Sequence, residues 1–145
     1  DGLDIPIEDY FLGFPPDKNS KFNYRIRFFR KLKGGYDLGV EVHESISVQG
    51  QVKRSKGCIQ HYGENSIFVK ITKSNQYSEL KAIEKAKKGK KASLLKLVLV
   101  IPLTFIKSYF LRRAILNGKR GFIVSVLNSY YAFLKEAKLY EQNIK

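Results

Sequence analysis

The chain has 145 residues, 43% of them hydrophobic and 13% aromatic, with a formal net charge of +14. That length and apolar content fit one folded domain and exclude a disordered polyelectrolyte. The single cysteine, Cys58, excludes an internal disulfide and suits a reducing compartment, and one cysteine with two histidines excludes a Cys/His zinc cluster.

Residues 1–20 mix acids, aromatics and the pair Pro15-Pro16, and read as a short strand or loop ending in a rigid turn. Residues 22–30, FNYRIRFFR, are rich in β-formers and read as a strand, followed by a turn at Lys33-Gly34-Gly35. Tyr36 to Val48 reads as a second extended stretch, and Val52 to Tyr62 as one or two short strands after the turn at Gln49-Gly50-Gln51. Beyond Asn65 the periodicity becomes helical, with Ser66 as the N-cap candidate and a lysine-dense end near Lys91. A second helical stretch is expected from Ser93 to about Leu116, interrupted by Pro102 and stopped at Asn117-Gly118. A third is expected from about Lys119 to Tyr140. The fold class is therefore α+β: short mixed or antiparallel strands, then three helices. The division is a β-rich part over residues 1–64 and a basic helical part over 65–145.

Charge follows that division. Residues 1–65 carry a net +1 and residues 66–145 a net +13. A field of that kind attracts polyanions. The sequence shows no helix-turn-helix, zinc-finger or RNA-recognition signature, and its basic residues alternate with aliphatic runs rather than with a stacking platform, so nucleic acid is not the expected partner. Leu97 to Ile106 is apolar except for Thr104, but ten residues fall short of the ~20 that span a bilayer. An interfacial reading puts Leu99, Leu103, Phe105, Ile106, Tyr109 and Phe110 at the headgroup boundary, with Lys107, Arg112, Arg113, Lys119 and Arg120 meeting anionic lipid. Packing of these helices on one another and on the sheet explains the same pattern, and both readings stay open.

Several residues carry potential chemistry. Glu44 follows His43 in the second extended stretch, and a carboxylate within reach of a hydroxyl acts as a general base. His61 ends a strand, where ligand or catalytic groups are common, and it suits a metal site completed by carboxylates from elsewhere. Arg25, Arg27 and Arg30 share one strand, the first two on one face by the period of two. Their guanidinium forks suit phosphate or carboxylate groups. Each of these positions also has a plain structural reading as an exposed charge or a satisfied histidine. The acidic pair Glu8-Asp9 precedes an apparent loop and reads as solvated. There is no phosphate-cradling glycine loop, no Gly-x-Ser-x-Gly and no His-Glu-x-x-His.

In order and spacing, Tyr10-Phe11-Leu12-Gly13, Arg27-Phe28-Phe29-Arg30, Gly35-Tyr36, Val42-His43-Glu44, Val48-x-Gly50 and Ile59-x-His61-Tyr62 resemble the C-terminal part of family 2 inverting glycosyltransferases of the lipopolysaccharide-core and capsule type. The helical part agrees, through Tyr109-Phe110-Leu111, Asn117-Gly118, Gly121-Phe122 and Tyr131-x-Phe133-Leu134-Lys135. The resemblance implies part of a GT-A α/β enzyme that moves a hexosyl- or heptosyl-type sugar from a nucleotide-sugar to a glycan or lipid-linked acceptor, with Mg²⁺ or Mn²⁺. On that resemblance Glu44 is the general base, Arg27, Arg30 and His43 bind substrate, and His61 is a metal ligand or a diphosphate contact. The implied location is the inner face of the cytoplasmic membrane. The family's Asp-x-Asp metal motif lies upstream of the matched region, and this chain has none. The chain also opens at Asp1 and contains no Met, so a fragment that is inactive alone is expected. The alternative is a non-catalytic basic module that binds membrane surfaces.

Overall fold

The computed structural model describes residues 1–36 and 46–144. Strand β1 (Gly2–Phe11) lies at the centre of the main sheet. Strand β2 (Asn23–Phe29) pairs with it antiparallel on one side. On the other side β5 (Val52–Arg54) and β6 (Ile59–Glu64) lie in tandem, both parallel to β1, one along its first half and one along its second. A separate antiparallel ladder joins β3 (Gly34–Tyr36) to β4 (Ile46–Val48). It sits beside the start of β1, where Phe29 meets Tyr36 edge-on at 6.4 Å between ring centroids.

The α+β layout matches the reading of the sequence, with informative differences. The opening segment is a ten-residue central strand rather than a short one, because it is paired along both edges, which offsets the poor strand preferences of Asp4, Pro6, Glu8 and Asp9. Gly34 and Gly35, expected in a turn, belong to β3. The β1–β2 register steps between Leu3 and Asp4, whose partners are Phe28 and Ile26. Arg27, between those two, has no register partner and marks the bulge.

The helical part is built from α1 (Ile67–Lys87), α2 (Leu94–Ile106) and α3 (Gly118–Ile144). Ser66 caps α1 as expected, its Oγ accepting the Val69 N–H at 3.1 Å. Helix α2 runs straight through Pro102 and continues as a π-turn over Lys107–Leu111. Pro102 removes the partner of the Val98 carbonyl, but both residues are exposed, so no buried carbonyl is orphaned. The chain then turns at Arg113, in the left-handed region at φ 59°, into a short 3₁₀ segment, Ala114–Asn117.

Helix α3 packs against both α1 and α2. Its buried stripe is Gly121, Ser125, Ser129, Ala132, Glu136 and Leu139, mostly small residues at helical spacing. The Ser125 hydroxyl donates to the Gly121 carbonyl at 2.7 Å and meets Ser108 Oγ at 3.1 Å, so the buried hydroxyls are satisfied. Phe105 and Tyr109 pack on Phe122 of α3, at 5.7 and 6.0 Å between centroids. These two aromatics therefore serve helix packing, whereas Leu99, Leu103, Ile106 and Phe110 are exposed. From Leu94 to Leu111 the helix has 18 residues, long and apolar enough by length and composition to cross a membrane, and only 6% of it is buried. The apolar stretch is thus longer than the ten residues read from the sequence.

The sheet and the helices are joined by a polar seam. Lys70 donates to Glu64 Oε2 at 2.7 Å and Lys73 to the Gly63 carbonyl at 2.6 Å. Arg112 donates to Asn23 Oδ1 at 2.6 Å, and Asn117 Oδ1 accepts the Asp17 N–H at 2.6 Å.

Candidate functional site

Parallel pairing of β1 and β6 brings the C-terminal ends of two strands to one edge of the sheet, the place where α/β folds commonly hold ligands. There Asp9 is the register partner of His61, and Asp9 Oδ1 lies 2.9 Å from His61 Nδ1. A carboxylate only accepts, so Nδ1 carries the proton. In the neutral ring Nε2 then keeps its lone pair. Both side chains are about half exposed, at 51% and 56%, which leaves them open to a ligand.

Gly63 fixes the seat of the ring. A Cβ at this position would lie 2.5 Å from His61 Cε1 and 2.7 Å from Nε2. Only glycine lets the imidazole rest this close to the strand.

Asp9 also rims a small cavity of about 80 Å³ between the sheet end and the start of α3. Phe11, Phe14, Asn117 and Arg120 are among its walls. The Arg120 guanidinium stacks over the Phe14 ring at 4.3 Å. Asp9 thus meets the His61 imidazole and also rims a cavity walled in part by Arg120 and the exposed Phe14 ring. Such a set can hydrogen-bond a sugar hydroxyl, hold a phosphate and stack on a sugar ring. On the other face of the sheet, Cys58 hydrogen-bonds Glu8, which together with burial pushes its thiol above the ordinary value. Tyr10 stacks on Tyr62 at 4.3 Å, and their hydrogen bond, followed by burial, raises the Tyr10 phenol.

The sequence-derived site residues do not all meet. Arg27 and Arg30 lie at the opposite end of β1 from His61, roughly 18 and 26 Å of strand away. Arg27 is exposed, and Arg30 lies 3.8 Å from Asp1 and is 79% exposed. Glu44 and His43 lie outside the described residues. Asp9 escaped the sequence reading: it was read as one of a solvated acidic pair, but it lies in β1 and holds His61. Arg120, one of the cations that the interfacial reading sets against lipid, lies over Phe14.

Among the described residues no group of three His, Cys, Asp or Glu side chains comes together to hold a metal ion. His61 Nε2 and the Asp9 carboxylate are too few donors for Mg²⁺ or Mn²⁺, which take about six oxygen-rich ligands.

The chain is similar to proteins named as glycosyltransferases. It is 34% identical over 132 residues to the lipopolysaccharide core biosynthesis glycosyltransferase LpsC of Rhizobium meliloti, a match covering 90% of this chain and 48% of LpsC. It is 31% identical over 106 residues to the uncharacterized glycosyltransferase RP128 of Rickettsia prowazekii, covering 73% of this chain and 36% of that protein. A third relative, the uncharacterized glycosyltransferase RC0292 of Rickettsia conorii, is 31% identical over 103 residues. The chain spans about half the length of LpsC and less of the Rickettsia proteins. No protein-family model matches the chain, and no solved structure is significantly similar to it.

Proposed function

We propose that this chain is the acceptor-side part of an inverting, GT-A-type family 2 glycosyltransferase that moves a hexosyl- or heptosyl-type sugar from a nucleotide-sugar to a hydroxyl of a cell-envelope glycan or lipid-linked acceptor. The observation that carries the reading is the similarity to LpsC along 90% of the chain. In the proposed reaction Glu44 takes the proton of the acceptor hydroxyl as that oxygen attacks the anomeric carbon. Arg27 and Arg30, near the start of β1, hold substrate, and His43 binds it as well. His61, oriented by Asp9, contacts the diphosphate or joins a Mg²⁺ or Mn²⁺ site whose carboxylates come from outside this chain. The part alone is inactive on this reading, because nucleotide-sugar binding belongs to the remainder of a protein as long as LpsC. The working place is the inner face of the cytoplasmic membrane.

The experiment is a sugar-transfer assay on the full-length protein, comparing wild type with Glu44→Gln at equal folded concentration. Turnover is expected to fall about a hundredfold or more with nucleotide-sugar affinity kept. Near-normal turnover would remove Glu44 from the mechanism.

A second reading, a non-catalytic basic module on membrane surfaces, is favoured by the exposed apolar helix Leu94–Leu111. It predicts vesicle binding by the full-length protein together with no sugar transfer to any acceptor.

A further inference from the structure

Helices α1 and α3 and the connection into α2 border an open cleft of about 390 Å³. Six lysines line it, together with the carboxylates Glu84 and Glu136. Glu84 is shared by Lys81 and Lys88, each at 2.7 Å, and Glu136 is bound by Lys85. The remaining three, Lys90, Lys91 and Lys96, have no carboxylate partner among the described residues. The connection that carries Lys90 and Lys91 is tied to the end of α3. Asn143 Oδ1 accepts the Ala92 N–H at 2.8 Å, and Asn143 Nδ2 donates to the Lys90 carbonyl at 3.2 Å. The backbone that carries Lys90 and Lys91 is therefore tied to α3, while their side chains are exposed at the mouth of the cleft.

A second cavity of about 330 Å³ adjoins it along α2. It is walled by Leu95, Leu99, Val100 and Leu103, and it shares Lys96 and Glu136 with the first. At that junction Glu136 is 8% exposed, and its Oε2 has no hydrogen-bond partner among the described residues. A buried carboxylate oxygen of this kind calls for a donor.

We infer that the two cavities form one binding site for a phosphate-bearing, hydroxyl-bearing membrane lipid. The phosphate sits among Lys90, Lys91 and Lys96, a headgroup hydroxyl donates to Glu136 Oε2, and an acyl chain lies in the groove of α2. Charge complementarity selects this occupant. A second protein segment would fill an apolar groove equally well, but an apolar one would bring no counter-charge to the exposed Lys90, Lys91 and Lys96 beside it. Diffuse attraction of the basic helices to anionic lipid does not need a cavity, and a free anion does not need the groove. The inference does not depend on the sugar-transfer reading.

The test uses the full-length protein and vesicles of phosphatidylcholine with or without phosphatidylglycerol. It adds a short-chain phosphatidylglycerol below its micelle concentration, glycerol phosphate and inorganic phosphate. The triple variant Lys90→Glu, Lys91→Glu, Lys96→Glu is compared with a control of equal charge change, Lys31→Glu, Lys53→Glu, Lys56→Glu. Each lysine near an anionic surface contributes about a fivefold factor, so the cavity variant is expected to lose roughly a hundredfold or more of its affinity for the anionic vesicles. The control variant is expected to lose far less. Equal losses in the two variants would overturn the site in favour of diffuse charge. If the cavity variant fails to fold, the wild type decides. Short-chain lipid binding much more tightly than glycerol phosphate or inorganic phosphate supports the site, and equal affinities overturn it. Failure to bind vesicles, with Leu99→Glu dissociating an oligomer, would assign the groove to a second copy of the chain and also overturn it.

Discussion

Asp9 and His61 stand opposite each other on parallel strands, and the carboxylate accepts the imidazole Nδ1–H at 2.9 Å. If the pair serves sugar transfer, His61→Gln should lower turnover of the full-length enzyme about a hundredfold, and Asp9→Asn should lower it less. Asp9→Asn should also mix the two ring tautomers, because the amide no longer forces the proton onto Nδ1. The nitrogen chemical shifts of His61 report that directly. An unchanged tautomer with unchanged turnover would remove Asp9 from the site.

The Lys70–Glu64 pair is unequal in burial, with side-chain exposures of 8% and 30%. Glu64→Ala leaves an ammonium group buried without its partner and should cost about 2–3 kcal/mol. Lys70→Met leaves a carboxylate that still reaches water and fills the same space, so it should cost less than about 1 kcal/mol. Urea denaturation of the two variants gives the order, and the reverse order would contradict the burial argument.

Gly121 is where α3 crosses the 3₁₀ segment most closely. A Cβ there would fall 1.7 Å from the Ala114 carbonyl oxygen. Backbone has to move, so Gly121→Ala should destabilise by about 3 kcal/mol or more despite its better helix propensity. A thermal midpoint equal to wild type would show that the two segments pack less closely than described.

Glu84 titrates far from the ordinary carboxylate range. Hydrogen bonds from Lys81 and then Lys88 lower it from 4.5 to about 2. Its contribution to stability is therefore complete above about 4.5 and is lost as the pH falls through about 2. Carbon-detected titration of the Glu84 carboxyl should give a midpoint near 2, and Lys81→Met with Lys88→Met should return it toward the ordinary value. An ordinary midpoint in the wild type would contradict the shared pairing.

Much of the architecture was legible because it rests on local signals. The strand over residues 22–30, the cap at Ser66 and the start of α3 after Asn117-Gly118 all follow from residue preference and turn chemistry. What escaped depends on contacts remote in sequence. Asp9 reads as a solvated acid until β6, some fifty residues on, sets His61 beside it. The same holds for the lysine-dense end of α1, whose following connection α3 ties down through Asn143 from some fifty residues on. Pro102 reads as a break because local rules do not show that its face of α2 is open.

Strand β2 pairs only with β1 among the described residues, and none of their strands covers its far edge. Such an edge is a template for another strand. In a chain studied apart from a longer parent, that edge would favour association with a second copy as concentration rises. The guanidinium groups of Arg25 and Arg27 oppose it, since two such edges brought together set like charges against each other. Added salt weakens that repulsion, so solubility should decline with ionic strength before the fold itself gives way.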